Sequence, residues 1–164
     1  MARTRFGWFP AVGAALVLAS SMSPAHAQIT EEPWAKGGLH GTLAKPRDHV
    51  RGPAVLIVAS SGPTDRNGNG PGLATDSYKL LAAGLAANDI LSLRYDKRGI
   101  GESRALVTRE DDVLFDHFVV DAVSALQSLA ARPDVSSVVI VGHSEAESSR
   151  SPQLREFRLR ASCC

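Results

Sequence analysis

Val138-Val139-Ile140-Val141-Gly142-His143-Ser144-Glu145-Ala146 is the stretch that decides the fold. Its four successive β-branched apolar residues suit a strand buried on both faces, as in a parallel sheet covered by helices. Gly142 ends the run, and the polar residues behind it are expected to form a sharp turn that displays Ser144.

Working outward, the same pattern recurs upstream. Ala54–Ala59 (AVLIVA) and Ile90–Tyr95 (ILSLRY) are further buried strands. Between them lie a polar loop, Ser60–Gly72 (SSGPTDRNGNGPG), and a helix from Asp76 or Ser77 to about Asn88. Asp76 or Ser77 is the expected cap, and Leu80, Leu81, Gly84 and Leu85 the expected shared face. A second helix is expected over Asp112–Ala131, with Phe115, Val119, Ala122, Val123, Leu126 and Leu129 at helical spacing. Leu39–Ala44, preceded by Gly37-Gly38 and ended by Pro46, reads as the second arm of an antiparallel hairpin. Hairpin arm, strand, helix, strand, helix, strand implies right-handed parallel crossovers and an α/β sandwich.

Residues 1–27 read as a signal peptide. Arg3 and Arg5 precede the apolar Ala11–Ser20, and Ala25-His26-Ala27 is a small-x-small cleavage pattern. The chain is therefore expected to be exported, periplasmic or secreted, and free of the membrane once cleaved. What remains suffices for one domain and is too short for two. Lys and Arg total 18 against 17 Asp and Glu. Without Arg3 and Arg5 the balance is one negative charge, which gives no pull toward nucleic acid. The only cysteines are the adjacent Cys163 and Cys164, so no disulfide framework is expected. Oligomeric state is not legible.

No metal or cofactor is expected. Cysteines and histidines lack zinc-site spacing, and the glycine-rich loop lacks the Gly-Lys-Ser/Thr ending of a P-loop. Asp65, Asn67, Asn69 and Asp76 have the spacing of a calcium loop. That loop follows a strand instead of a helix and ends on Asp instead of Glu, so turn chemistry is the expected reading.

Three motifs follow the three buried strands in order: Ser61-Gly62-Pro63-Thr64-Asp65-Arg66-Asn67-Gly68-Asn69, Asp96-x-Arg98-Gly99-x-Gly101-x-Ser103, and Gly142-His143-Ser144-Glu145. With these, residues from about 35 to 145 resemble an α/β-hydrolase of the secreted esterase-D-like, serine-aminopeptidase-like group. The resemblance implies the N-terminal part of an α/β-hydrolase sheet, mostly parallel, incomplete, with helices on both faces. It implies a serine hydrolase acting on carboxylic esters, with a small-molecule acyl substrate and an acyl-enzyme on Ser144. The oxyanion hole would use the N–H of Glu145 and one from the loop after the first buried strand. Pro63 has no N–H, and Ser61 is favoured over Gly62. His143 is expected to point away from the reaction centre, and Asp96–Ser103 to be architecture. Peptide, thioester and acyl-transfer chemistry stay open within the same fold.

The chain departs from the pattern at Ala146, where G-x-S-x-G has glycine. The following Glu147-Ser148-Ser149-Arg150-Ser151-Pro152 does not read as an amphipathic helix. Residues 146–164 are expected to be out of frame: in one GC-rich codon choice, one inserted G after the Glu145 codon restores Glu-Gly-Gly-Val-Val-Ala. In the family, acid and histidine follow the nucleophile, so this copy is expected to turn over little or not at all. A non-catalytic, binding-only fragment is the reading from another class.

Overall fold

The computed structural model describes residues 29–143 of the chain. Five strands and two α-helices follow among the described residues in the order β1 (Ile29–Lys36), β2 (Leu39–Pro46), β3 (Gly52–Val58), α1 (Ser77–Ala86), β4 (Leu91–Tyr95), α2 (Phe115–Ala130) and β5 (Val135–Gly142). Residues 1–27, where a signal peptide is expected, and Ser144, Glu145 and 146–164 lie outside the described residues.

The strands form one sheet in the order β1-β2-β4-β3-β5. A two-residue turn at Gly37-Gly38 joins β1 to β2 and makes them antiparallel, with Lys36 opposite Leu39. β2 adds antiparallel to β4, while β3 pairs parallel with both β4 and β5. The expected mostly parallel sheet is thus corrected to a mixed one. The hairpin contributes as many antiparallel pairings as the two crossovers contribute parallel ones.

Strand alternation splits the core in two. Ala54, Leu56 and Val58 of β3, with Leu91, Leu93 and Tyr95 of β4, face Ala125, Leu126 and Leu129 of α2. Val55, Ile57 and Ala59 face Tyr78 and Ala82 of α1 on the opposite side. A central leucine such as Leu56 or Leu93 contributes about 1.5–3 kcal/mol by burial. The chain goes from β3 outward to β4 over one face, then back across β3 to β5 over the other. The loops leaving β3 and β4 therefore diverge, and a crevice opens between the carboxyl ends of these strands.

Two local expectations need correction. The buried face of α1 is Tyr78, Ala82 and Ala86, whereas Leu80 is 65 % and Leu81 40 % exposed. Alanines let the helix lie close on the sheet, and the Tyr78 hydroxyl is used at the crevice. Asp76 precedes α1 at φ 49° without capping it. Its carboxylate accepts from Asn69 Nδ2 at 2.7 Å instead. On α2 the expected face is observed at Val119, Ala122, Leu126 and Leu129, while Phe115 stays half-exposed at the start of the helix. β5 begins earlier than expected, at Val135. It pairs only with β3 among the described residues, and Val139 is 43 % exposed on the side α1 does not reach.

Candidate active site

The crevice holds a cavity of about 290 Å³. Val58 and Tyr95, at the ends of β3 and β4, form part of its floor. Ser61 and Gly62 stand on one side, and Phe115 and Phe118 of α2 on another. A concave apolar site with a few polar groups at its rim is the usual form of a small-molecule pocket.

The loop after β4 is the frame of this site. Asp96 is 2 % exposed, and its carboxylate accepts the N–H of Arg66 at 2.8 Å and of Glu102 at 3.0 Å. Gly101 is packed directly on that carboxylate: a Cβ there, at φ +52°, would lie 2.3 Å from Oδ2. Arg98 forks onto Asp121 of α2, with Nε and one terminal nitrogen each 2.7 Å from a carboxylate oxygen. The hydrogen bond to Asp121 holds the Arg98 guanidinium above its ordinary pKa. Burial, with the Asp121 charge behind it, pushes the Tyr95 phenol up as well. Ser103 Oγ accepts the His40 N–H at 2.9 Å. Asp96, Arg98 and Ser103 each tie the loop to a neighbour, and Gly101 packs within it, an arrangement that fits an architectural role.

Lys97, between those motif residues, has a different place. Leu91, Leu93, Tyr95 and Lys97 alternate onto the α2 side, so the lysine enters the cavity wall and is only 9 % exposed. Its ammonium donates to the carbonyl of Ser60 and, at 3.0 Å, to that of Gly62. It also lies 5.9 Å from the centre of the Phe118 ring. The sequence reading does not single out Lys97. The signal was available in the alternation of β4, which puts a lysine on a face otherwise apolar.

The segment between β3 and α1 is gripped from the other face too. The Ser60 N–H donates to Tyr78 Oη at 3.1 Å, and Tyr78 Oη lies 3.0 Å from His143 Nδ1. The Tyr78 hydroxyl therefore links the start of the loop after β3 to the ring at the end of β5. The His143 ring thus faces Tyr78 of α1. The His143 backbone N–H donates to the Val58 carbonyl at 3.4 Å, beside the Val58–Gly142 pairing that brings the end of β5 to the cavity. Ser144 and Glu145, the next residues in sequence, are outside the described residues. Ser61 is exposed at the cavity rim, and its N–H donates to no group among the described residues.

The calcium-loop spacing is occupied by turn chemistry. One Asp65 oxygen accepts the N–H of both Asn67 and Asn69 at 2.8 Å. Asn67 Oδ1 accepts from Arg94 Nε at 3.2 Å, and Asn69 Oδ1 from the Asp76 N–H at 2.9 Å. These side-chain oxygens face N–H donors, one of them cationic, an arrangement opposed to binding a hard cation.

No family model matches the chain. Among curated proteins, it is 36 % identical over 110 residues to Esterase EstD of Thermotoga maritima, covering 65 % of this chain and 25 % of that protein. The chain thus spans about a quarter of the length of that relative. Among solved structures it is similar to the esterase Est22, with a TM-score of 0.61 at 15 % identity, over 83 % of this chain and 43 % of that one. At that identity the likeness concerns the fold, an open mixed sheet covered by helices.

Proposed function

We propose that this chain carries the nucleophile half of a secreted serine esterase. Ser144 Oγ would attack the carbonyl carbon of an ester, and the alkoxide would leave with a proton as the alcohol. Water would then cleave the acyl-enzyme to the carboxylic acid and restore the hydroxyl. The N–H groups of Ser61 and Glu145 would hold the oxyanion that forms in both steps. The observation that carries this reading is the end of β5. Gly142 pairs with Val58 and the His143 N–H donates to the Val58 carbonyl, and Val58 lines the same cavity as Ser61, whose N–H donates to no group among the described residues. Similarity to an esterase over 110 residues supports the ester class. The apolar cavity suits an acyl group.

No triad acid or histidine is assigned. Residues 146–164 contain no histidine, and we read them as out of frame, so this copy would react slowly. The test is a fluorophosphonate probe on the purified chain, beside Ser144→Ala and a frame-corrected gene. Labelling of the corrected protein at Ser144, at least about 100-fold faster than that of the present chain, is the expected result. Equal labelling of both would mean a base resides within this chain. Failure of both to label would move the binding-only reading ahead.

A further inference from the structure

We propose that Lys97 is a positioning residue that aims the Ser61 N–H at the cavity by holding the carbonyl of the same peptide unit. The role rests on the esterase reading above. In a trans peptide the C=O and the N–H point in opposite directions, and the described residues contain no cis peptide. The Ser60–Ser61 unit presents its oxygen to the Lys97 ammonium. Its N–H, which belongs to Ser61, is therefore turned directly away from the lysine.

Three further hydrogen bonds restrain the unit. The peptide before it is fixed by the Ser60 N–H on Tyr78 Oη. The Gly62 carbonyl, two residues on, takes a second bond from Lys97 at 3.0 Å and one from the Thr64 N–H at 2.9 Å. Pro63 has no N–H, so this second clamp anchors the loop without aiming a competing donor. Lys97 thus bridges the two carbonyls that flank Ser61, whose N–H donates to no group among the described residues.

The cation does more than orient. A positive charge on an amide oxygen draws electron density out of the nitrogen, which makes the N–H of that amide a stronger donor. Such a donor gains most where negative charge develops, in the transition state, and least on a neutral bound ester. Lys97 should therefore act on the chemical step and leave ground-state binding nearly untouched. A lysine that only walls the cavity would do the reverse.

The experiment compares wild type, Lys97→Met and Lys97→Arg in the frame-corrected chain, measuring fluorophosphonate inactivation over a range of probe concentrations. It is paired with carbonyl ¹³C shifts of Ser60 and Gly62 in the present chain. Lys97→Met should lower the maximal inactivation rate at least about tenfold while the half-saturating concentration stays within about threefold. It should also move both carbonyl shifts. Lys97→Arg, which keeps the charge and two donors, should hold the rate within about threefold of wild type. If Lys97→Met loses the wild-type amide dispersion, Lys97→Gln replaces it with the same expectations. An unchanged maximal rate, a change confined to half-saturation, or unmoved carbonyl shifts would each overturn the proposal. A Lys97→Arg rate as low as that of Lys97→Met would do the same. If the wild-type corrected chain does not label, the esterase reading fails and the positioning role fails with it. The carbonyl shifts then still report separately whether the clamp exists.

Discussion

The loop after β4 is anchored through its side chains, whereas the first turn after β3 is anchored through its carbonyls. Asp96, Arg98 and Ser103 each reach out of their loop to a partner. Ser60 and Gly62 are instead held by a lysine that belongs to the other loop. Side-chain anchoring leaves a rigid frame with its polar groups spent. Carbonyl anchoring leaves an N–H outward and unspent. Under the proposed esterase reading, the first kind of wall would hold a substrate in place and the second would meet a developing charge.

The glycines of the two loops give the sharpest way to break this contrast. Gly101 sits at φ +52° against a buried carboxylate that already accepts two N–H bonds. Gly101→Ala should cost about 3–4 kcal/mol, from left-handed strain together with the loss of those bonds. Gly62 has φ +80° but nothing within 4 Å of its Cβ position. Gly62→Ala should cost about 1 kcal/mol, from backbone strain alone. Urea unfolding of both variants measures the difference. Equal losses would mean that the loop after β3 is as tightly framed as the loop after β4.

The Arg98–Asp121 fork is next in size. Arg98→Met removes the cation and leaves the nearly buried Asp121 without its partner, at a cost of about 2 kcal/mol. The fork joins the loop to α2, so Phe118 and Val119 at the cavity should lose amide protection against hydrogen exchange, while Tyr78 on the other face keeps it. Uniform loss on both faces would show that the fork supports the whole domain rather than one wall.

Much of this was legible because its causes are local. Alternation and apolar runs mark β2, β3 and β4, and Gly37-Gly38 marks the hairpin. The motif after β4 announces itself by residue type, since an aspartate, an arginine and closely spaced glycines are needed for that packing. The face of α1 misleads because Leu80 and Leu81 are the more apolar residues, yet the sheet accepts Tyr78 and Ala82. That choice depends on a hydroxyl reaching Ser60 and His143, contacts distant in sequence. The sheet reads as mostly parallel because crossovers dominate the chain, while a hairpin's antiparallel pairings are decided by where its second arm docks. Lys97 offers only the alternation that runs on past β4, because its partners are carbonyls, which every residue has.

The smallest effect lies where the two loops touch directly. One Arg66 terminal nitrogen is 2.6 Å from Glu102 Oε2, joining a residue of the loop after β3 to one of the loop after β4. The hydrogen bond from Arg66 and then its charge hold the Glu102 carboxyl below the ordinary glutamate value. The bridge is therefore fully present above the ordinary value and is lost as pH falls through the lowered one. Glu102 lies at the surface, so global stability should barely move, and the response should be confined to the loops. A carboxyl ¹³C titration should find the Glu102 midpoint below that of an unpaired glutamate, and Arg66→Gln should bring it back up. Salt should do the same in part, since exposed ion pairs are screened. If the midpoint is unmoved by Arg66→Gln, no persistent bridge exists, and the two loops meet only through Asp96 and Lys97. The carbonyl clamp would then be the main link between the frame and the segment that carries Ser61.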